Sequence, residues 1–139
     1  MSTLIRSTGP VTNTYVTLTD EDALPAQGAI VVSLARWEKD RNVLEQRAQP
    51  YGLALPNTVS VGTLDPGIKQ AALIVLQFPS FADGRAYSQA RLLREALNYT
   101  GELRASGAAV VRDQLLGMVR CGIDSFELRA DQSVESCLL

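Results

Sequence analysis

Residues 71–107 read AALIVLQFPSFADGRAYSQARLLREALNYTGELRASG and decide the fold. The apolar run from Leu73 to Phe78 predicts a strand that is buried on both faces of a parallel sheet. A Pro/Gly turn follows, and the apolar spacing from Gly84 to Asn98 predicts a helix. Glu102 to Ala105 predicts the next strand. A strand, a helix and a second strand in this order are typical of an α/β sheet.

The same alternation extends along the rest of the chain. The predicted strands are residues 11–19, 29–33, 58–63, 73–78, 102–105 and 125–129. The predicted helices are residues 34–49, 66–72, 84–98, 110–120 and 132–139. Three polar residues stand where helix caps are expected, namely Ser33, Asp65 and Asp131. Gly122 suits the left-handed residue that follows a helix end.

These elements predict an α/β fold with a mainly parallel sheet and helices on its faces. A flavodoxin-like open sheet is the leading topology, and a half-barrel-like arrangement is the alternative. Residues 1–28 are expected to form an N-terminal arm over residues 1–10, an edge strand and a loop. Residues 29–139 are expected to form one α/β domain, because no linker or repeat interrupts them.

Composition limits the classes of function. The chain has 139 residues, 46% of them hydrophobic and 20% charged, as expected for one soluble globular domain. Its formal net charge of −2 argues against a nucleic-acid-binding face. No apolar run reaches the roughly 18 residues that a membrane span needs. The first ten residues lack the apolar core of a signal peptide, so we expect a cytoplasmic protein without a membrane partner.

The chain contains no histidine. This excludes a Ser-His-Asp triad, a Cys-His dyad and histidine-ligated zinc or haem. Acid–base chemistry would have to use Asp, Glu, Lys, Tyr or Cys side chains. Cys121 and Cys137 lack a metal-ligand spacing, and we expect reduced thiols, with a disulfide or a redox switch as the alternative.

The Asp83-Gly84-Arg85 turn is the first candidate site. It follows the strongest predicted strand, and ligands of parallel sheets collect beyond the carboxyl ends of the strands. A cation at a helix start is unfavourable for the helix dipole, so Arg85 is expected to serve a partner. That partner is either a bound anion or a carboxylate of the chain, with Asp83, Glu102 and Asp113 as candidates.

Three further arginines extend this candidate anion site. Arg91 and Arg94 are three residues apart and share one helix face, where they either bind a ligand or join a surface ion-pair network. Arg104 lies between apolar neighbours in its strand. Its side chain must therefore point to the opposite face of the sheet and meet a carboxylate or a ligand there.

Residues around the turn complete the candidate set. Tyr87 either stacks on a flat ligand or packs on the sheet, and Ser88 either faces a bound anion or is an ordinary early-helix serine. Arg112 and Asp113 follow the strand that carries Arg104. No phosphate-binding loop or dinucleotide fingerprint is present, which argues against ATP or GTP binding by a P-loop. The topology alone would allow a flavin, but no flavin motif is present, so the cofactor stays unknown. Asp83, Glu102 and Asp113 would suit magnesium if they converged, but their spacing does not demand a metal.

Two longer stretches resemble a known family. FPSFADGRAYSQARLLREALNYTGELRASG and, after it, VRDQLLGMVRCGIDSFELR are similar to the bacterial domain of unknown function 934 family. The upstream VVSLARW also fits that family, and the resemblance covers most of the chain from about Ala29. Ala108-Ala109 replaces a polar residue expected soon after Gly107, and Ile123 replaces an aromatic one.

The resemblance implies a function in sulfur metabolism. Members are commonly labelled oxidoreductases and are encoded beside the sulfite reductase haemoprotein, which implies an accessory role in assimilatory sulfite reduction. The residues that match the family pattern are Phe78, Pro79, Phe81, Asp83, Gly84, Arg85, Tyr87, Ser88, Arg91, Arg94, Gly101, Glu102, Arg104, Gly107, Arg112, Asp113 and Gln114.

The first functional hypothesis is an accessory protein that docks on sulfite reductase or on its electron donor. The second is an enzyme or carrier that binds a small anion or a nucleotide at the turn from Asp83 to Arg94. A third is a homodimer that pairs through the edge strand of residues 11–19.

Overall fold

The parallel strands follow one another across the sheet in chain order. The computed structural model describes residues 3–138, so residues 1, 2 and 139 of the predicted arm and last helix lie outside it. The strands are β1 (Thr3–Arg6), β2 (Gly9–Pro10), β3 (Tyr15–Thr17), β4 (Ala29–Ser33), β5 (Tyr51–Leu55), β6 (Leu73–Gln77), β7 (Glu102–Ser106) and β8 (Ser125–Leu128). Their order in the sheet is β2-β1-β8-β7-β6-β5-β4-β3. Strands β3 to β8 are parallel, while β1 is antiparallel to β8 and to β2.

Helices cover one face of this sheet. They are α1 (Leu34–Gln46), α2 (Arg85–Glu95), α3 (Arg112–Arg120) and α4 (Val134–Cys137), with 3-10 turns at Val61–Thr63 and Pro66–Gln70. Each parallel strand lies next to the one before it, always toward the same edge of the sheet. Right-handed crossovers between such strands place every connecting helix on the same face of the sheet. The main core accordingly joins helix side chains such as Trp37 and Leu93 to strand side chains such as Ile74 and Leu103.

The other face of the sheet forms the inside of a curl. Val31, Leu73 and Val75 form a separate apolar cluster there, because successive side chains of a strand point to opposite faces. Four strand spacings of about 4.8 Å separate β3 from β7, which is about 19 Å in a flat sheet. Yet the guanidinium carbon of Arg104 on β7 lies 5.6 Å from the ring centroid of Tyr15 on β3.

The fold is therefore a single α/β domain whose curled sheet forms a half-barrel. The general α/β prediction is confirmed, and the half-barrel alternative describes this sheet. The leading flavodoxin-like topology is not what the described strands form, because a sequential strand order has no switch point. The helices consequently lie on one face of the parallel strands and not on both.

Several local predictions are confirmed. Ser33 accepts a hydrogen bond from the backbone N–H of Arg36 at 3.1 Å and caps α1. Asp65 accepts one from Gly67 at 2.8 Å. Gly122 follows α3 with a φ of 101°, the left-handed conformation that glycine tolerates. The predicted edge strand is present as β3, at one margin of the sheet.

Other local predictions are wrong. Thr3–Arg6 is a strand and not a loose arm, because it pairs with the edge of β8. Residues 58–63 do not form the predicted strand, and Val61–Thr63 at the end of this range form a 3-10 turn. The strand in this part of the chain is Tyr51–Leu55, which was not predicted. Gly52 lies inside that strand, where the neighbouring strand leaves little room for a side chain. A Cβ at this position would come within 3.1 Å of Leu73. The cap of α4 is Ser133 and not Asp131.

Candidate functional site

The turn between β6 and α2 is closed by an ion pair of its own residues. Arg85 donates from Nε and Nη2 to the carboxylate of Asp83, at 3.0 and 2.8 Å. The backbone N–H of Arg85 and the side-chain amide of Asn57 also donate to this carboxylate, at 3.2 and 2.8 Å. The Arg85 guanidinium, with the help of these N–H groups, holds the pKa of Asp83 far below its usual range. Among the carboxylates considered, Asp83 is thus the partner of Arg85.

Arg94 fastens the loops at the amino ends of β7 and β8. Its Nη1 donates to the carbonyl oxygens of Tyr99 and Gly101, each at 2.8 Å. Its Nε and Nη2 donate to the carbonyl of Gly122, and Nη2 also pairs with Asp124 at 2.7 Å. A guanidinium held by so many protein acceptors has a structural role here.

The remaining predicted residues of α2 and α3 lie around the contact between these helices. Tyr87 donates its hydroxyl to Gln114 at 2.8 Å and packs edge-on against Phe78. Arg91 reaches only the Sγ of Cys121, at 4.0 Å. Three others have exposed side chains and are not gathered into a common pocket, namely Ser88, Arg112 and Asp113.

Arg104 lies on the opposite, inner face of the sheet. Its residue is only 5% exposed. Nε donates to Ser125 at 3.2 Å, Nη1 to Asn13 at 3.2 Å and Nη2 to Glu102 at 2.9 Å. The ring of Tyr15 covers its guanidinium. The sequence argument that Arg104 must point away from its apolar neighbours and meet a carboxylate is thus matched by these contacts.

Glu102 joins two arginines inside the curl. Besides Arg104, it pairs with Arg6 of β1 at 3.0 Å and accepts the hydroxyl of Ser125 at 2.7 Å. Burial alone would raise the pKa of Glu102, but the hydrogen bonds from Ser125 and Arg104 and the nearby charges lower it overall. Burial, together with the charge of Glu102, raises the pKa of Tyr15. The inner face therefore holds a fixed charge cluster.

A cavity of about 110 Å³ opens beside this cluster. Its lining residues are Asn13, Tyr15, Thr17, Val31, Ala54, Val75, Gln77, Arg104, Ser106 and Glu127. Gln77 and Ser106 are the last residues of β6 and β7. The cavity thus reaches the carboxyl end of the sheet, where α/β barrels place their ligand sites.

Most of this lining was missed by the sequence reasoning, which placed the site on the helix side. Of the predicted site residues, the inner cavity contains only Arg104. The sequence does contain one signal for this face of the sheet. In residues 102–106 the polar residues Glu102, Arg104 and Ser106 alternate with the apolar residues Leu103 and Ala105, which indicates a polar inner face. No sequence pattern indicates that Asn13 and Tyr15 belong to this site, because only the curl of the sheet brings β3 close to β7.

A second surface feature lies between α3, α4 and β1. It is an apolar groove of about 250 Å³, lined among others by Ile5, Leu115 and Phe126. On its rim, the side chains of Leu116 and Val119 are 62% and 50% exposed. Contiguous exposed apolar side chains at a groove are typical of a surface that binds a protein. We call this feature the α3–α4 groove.

Other features contribute no site. A concavity of about 660 Å³ lies at the amino ends of β5 and β6 and is wide open. Within residues 3–138, no three Cys, Asp or Glu side chains come together as a metal site, so Asp83, Glu102 and Asp113 do not converge. None of the helices described combines the length and apolar character that crossing a membrane requires.

The fold and these surfaces define a one-domain α/β half-barrel with a small polar cavity inside its sheet. By comparison with family models, the chain belongs to the family described as "Bacterial protein of unknown function (DUF934)", whose model matches residues 52–138. No curated protein and no solved structure matches the chain. The matched segment includes α2, α3 and the α3 wall of the α3–α4 groove.

Proposed function

We propose that this protein is a cytoplasmic accessory protein of assimilatory sulfite reduction, which docks on the sulfite reductase haemoprotein or on its electron donor. The α3–α4 groove is the docking surface in this proposal. The partner comes from the family resemblance, and the single observation that supports docking is the exposed apolar rim formed by Leu116 and Val119.

The chemistry of the groove indicates which partner surface would fit. Ile5, Leu115 and Phe126 form an apolar floor, and exposed Arg112 stands at the rim. Among the described residues, no carboxylate lines the groove. An amphipathic segment with apolar side chains and a flanking acidic residue would bury the rim leucine and valine and pair with the arginine.

The experiment is a binding titration of the purified chain against immobilised sulfite reductase haemoprotein. Val119→Glu introduces a charge at the rim, and Val43→Glu is its matched control, since Val43 is 53% exposed on helix α1. Both substitutions lie on exposed helix positions and should leave the free energy of unfolding within about 0.5 kcal/mol. We expect Val119→Glu to weaken binding at least about tenfold and Val43→Glu to leave it unchanged.

Two results would contradict the proposal. One is the absence of binding by the wild-type chain to both the haemoprotein and its electron donor. The other is an equal effect of the two valine substitutions, which would place the docking surface elsewhere.

The alternative from the sequence, an anion- or nucleotide-binding enzyme or carrier that uses the Asp83–Arg94 turn, stays a prediction. The contacts at that turn give this alternative little support. Arg85 already donates hydrogen bonds from Nε and Nη2 to Asp83, and Arg94 donates to the carbonyl oxygens of Tyr99 and Gly101. Homodimerisation through β3 also stays a prediction.

A further inference from the structure

We propose that the cavity inside the curled sheet binds a small monoanion, with Arg104 as the principal ligand-binding residue. This site is distinct from the turn between Asp83 and Arg94, because Arg104 points to the face of the sheet that the helices do not cover. It shares no lining residue with the α3–α4 groove, although Arg6 of that groove pairs with Glu102 beside the cavity, and it does not depend on the docking proposal.

Arg104 has more N–H donors than the described chain uses. A guanidinium has five N–H groups, and in the described chain three of its nitrogens each donate one bond, to Ser125, Asn13 and Glu102. One N–H on each terminal nitrogen is left over. Since a buried charged donor without an acceptor is costly, these two N–H groups favour an acceptor in the adjoining cavity.

The charge beside the cavity also favours an anion. Arg104 and Arg6 share the single carboxylate of Glu102, so this cluster of three groups carries one net positive charge. Among the described lining residues of the cavity, the one carboxylate is that of Glu127. Residues with neutral donors also line the cavity, namely Thr17 and Ser106 with their hydroxyl groups and Gln77 with its amide. The combination of a buried guanidinium with neutral donors is suited to an oxyanion or a carboxylate.

The volume and lining of the cavity limit the size and the protonation state of the ligand. A cavity of about 110 Å³ is far below the roughly 300 Å³ at which pockets for drug-sized ligands begin, which excludes a nucleotide. Glu127 also lines the cavity, and its carboxylate would repel a dianion. A monoanion that keeps an O–H group can instead donate a hydrogen bond to Glu127. The ligand class is therefore a small hydroxy acid or a hydrogen oxyanion.

The test is calorimetric titration of the full chain with glycolate, hydrogencarbonate and hydrogensulfite, and with sulfate as a dianion. Arg104→Lys keeps the charge but removes the forked donors, and we expect it to weaken binding at least about tenfold. Ala54→Leu fills the cavity without replacing a member of the ion cluster, so it tests the site even if Arg104→Lys does not fold. Arg85→Lys, at the exposed turn, is the matched control and should bind like the wild type.

Binding of at least one monoanion, lost in Ala54→Leu and kept in Arg85→Lys, is the expected result. The inference is overturned if no monoanion binds, if Ala54→Leu binds as the wild type does, or if sulfate binds more tightly than every monoanion. A chain that binds a monoanion but neither the haemoprotein nor its electron donor would satisfy this inference and contradict the proposed function.

Discussion

Replacing Arg94 by methionine tests the assignment of this residue as structural. The substitution keeps an unbranched side chain of similar helix propensity on α2 and removes every guanidinium contact. Four acceptors lose their bonds from Arg94, namely the carbonyl oxygens of Tyr99, Gly101 and Gly122 and the carboxylate of Asp124, which keeps the N–H of Leu103. At about 1 kcal/mol for each acceptor, the loss is about 4 kcal/mol. Rehydration of Asp124 reduces this to about 3 kcal/mol.

The assay is urea unfolding of Arg94→Met beside Arg91→Met, which lies one turn earlier on the same helix. Arg91 contacts only the Sγ of Cys121, at 4.0 Å, so its replacement should change the free energy of unfolding by no more than about 0.5 kcal/mol. With a slope of about 2 kcal/mol/M, Arg94→Met should lower the midpoint by about 1.5 M urea. Equal midpoints for the two variants, or a loss below about 1 kcal/mol for Arg94→Met, would refute the structural assignment.

Two further predictions concern β7 and the residue that follows it. Gly107 has a φ of 119°, and a Cβ there would overlap the carbonyl oxygen of Phe78, so Gly107→Ala should cost at least about 2 kcal/mol in urea unfolding. Gly62→Ala, which meets nothing closer than 3.9 Å, is the control and should leave the midpoint nearly unchanged. Because the folded pKa of Glu102 is lowered, its ionised form stabilises the fold above an unfolded pKa of about 4.3, and this stability is lost as pH falls through the folded pKa. The difference in free energy of unfolding between the wild type and Glu102→Gln should therefore shrink as pH falls from the unfolded pKa through the folded pKa of Glu102. A difference that stays constant over this pH range would contradict the ion-cluster account.

Local signals predicted much of the fold. The apolar runs of β4 and β6 identify buried strands, and the cap at Ser33 and the glycine at Gly122 mark helix ends through chemistry that acts over a few residues. The strand Tyr51–Leu55 was missed because Gly52 suggests an end when its neighbours are unknown. Its place inside a strand becomes clear only from the close approach of Leu73 on β6.

The candidate sites depend on longer-range geometry. The direction of Arg104 followed from strand alternation, but its partners Asn13 and Tyr15 come from a segment 89 to 91 residues away, counted from the numbering. Only the curl of the sheet brings that segment over β7. Arg94 illustrates the opposite difficulty, because backbone carbonyl oxygens accept its hydrogen bonds and carry no sequence signature.

The most direct test of the central claim is the affinity of the wild-type chain and Val119→Glu for sulfite reductase haemoprotein, measured side by side with Val43→Glu. The account predicts a saturable complex that Val119→Glu weakens at least about tenfold and Val43→Glu leaves intact. A complex that responds equally to both substitutions would contradict docking through the α3–α4 groove. If neither the haemoprotein nor its electron donor binds the wild-type chain, the accessory role itself is contradicted.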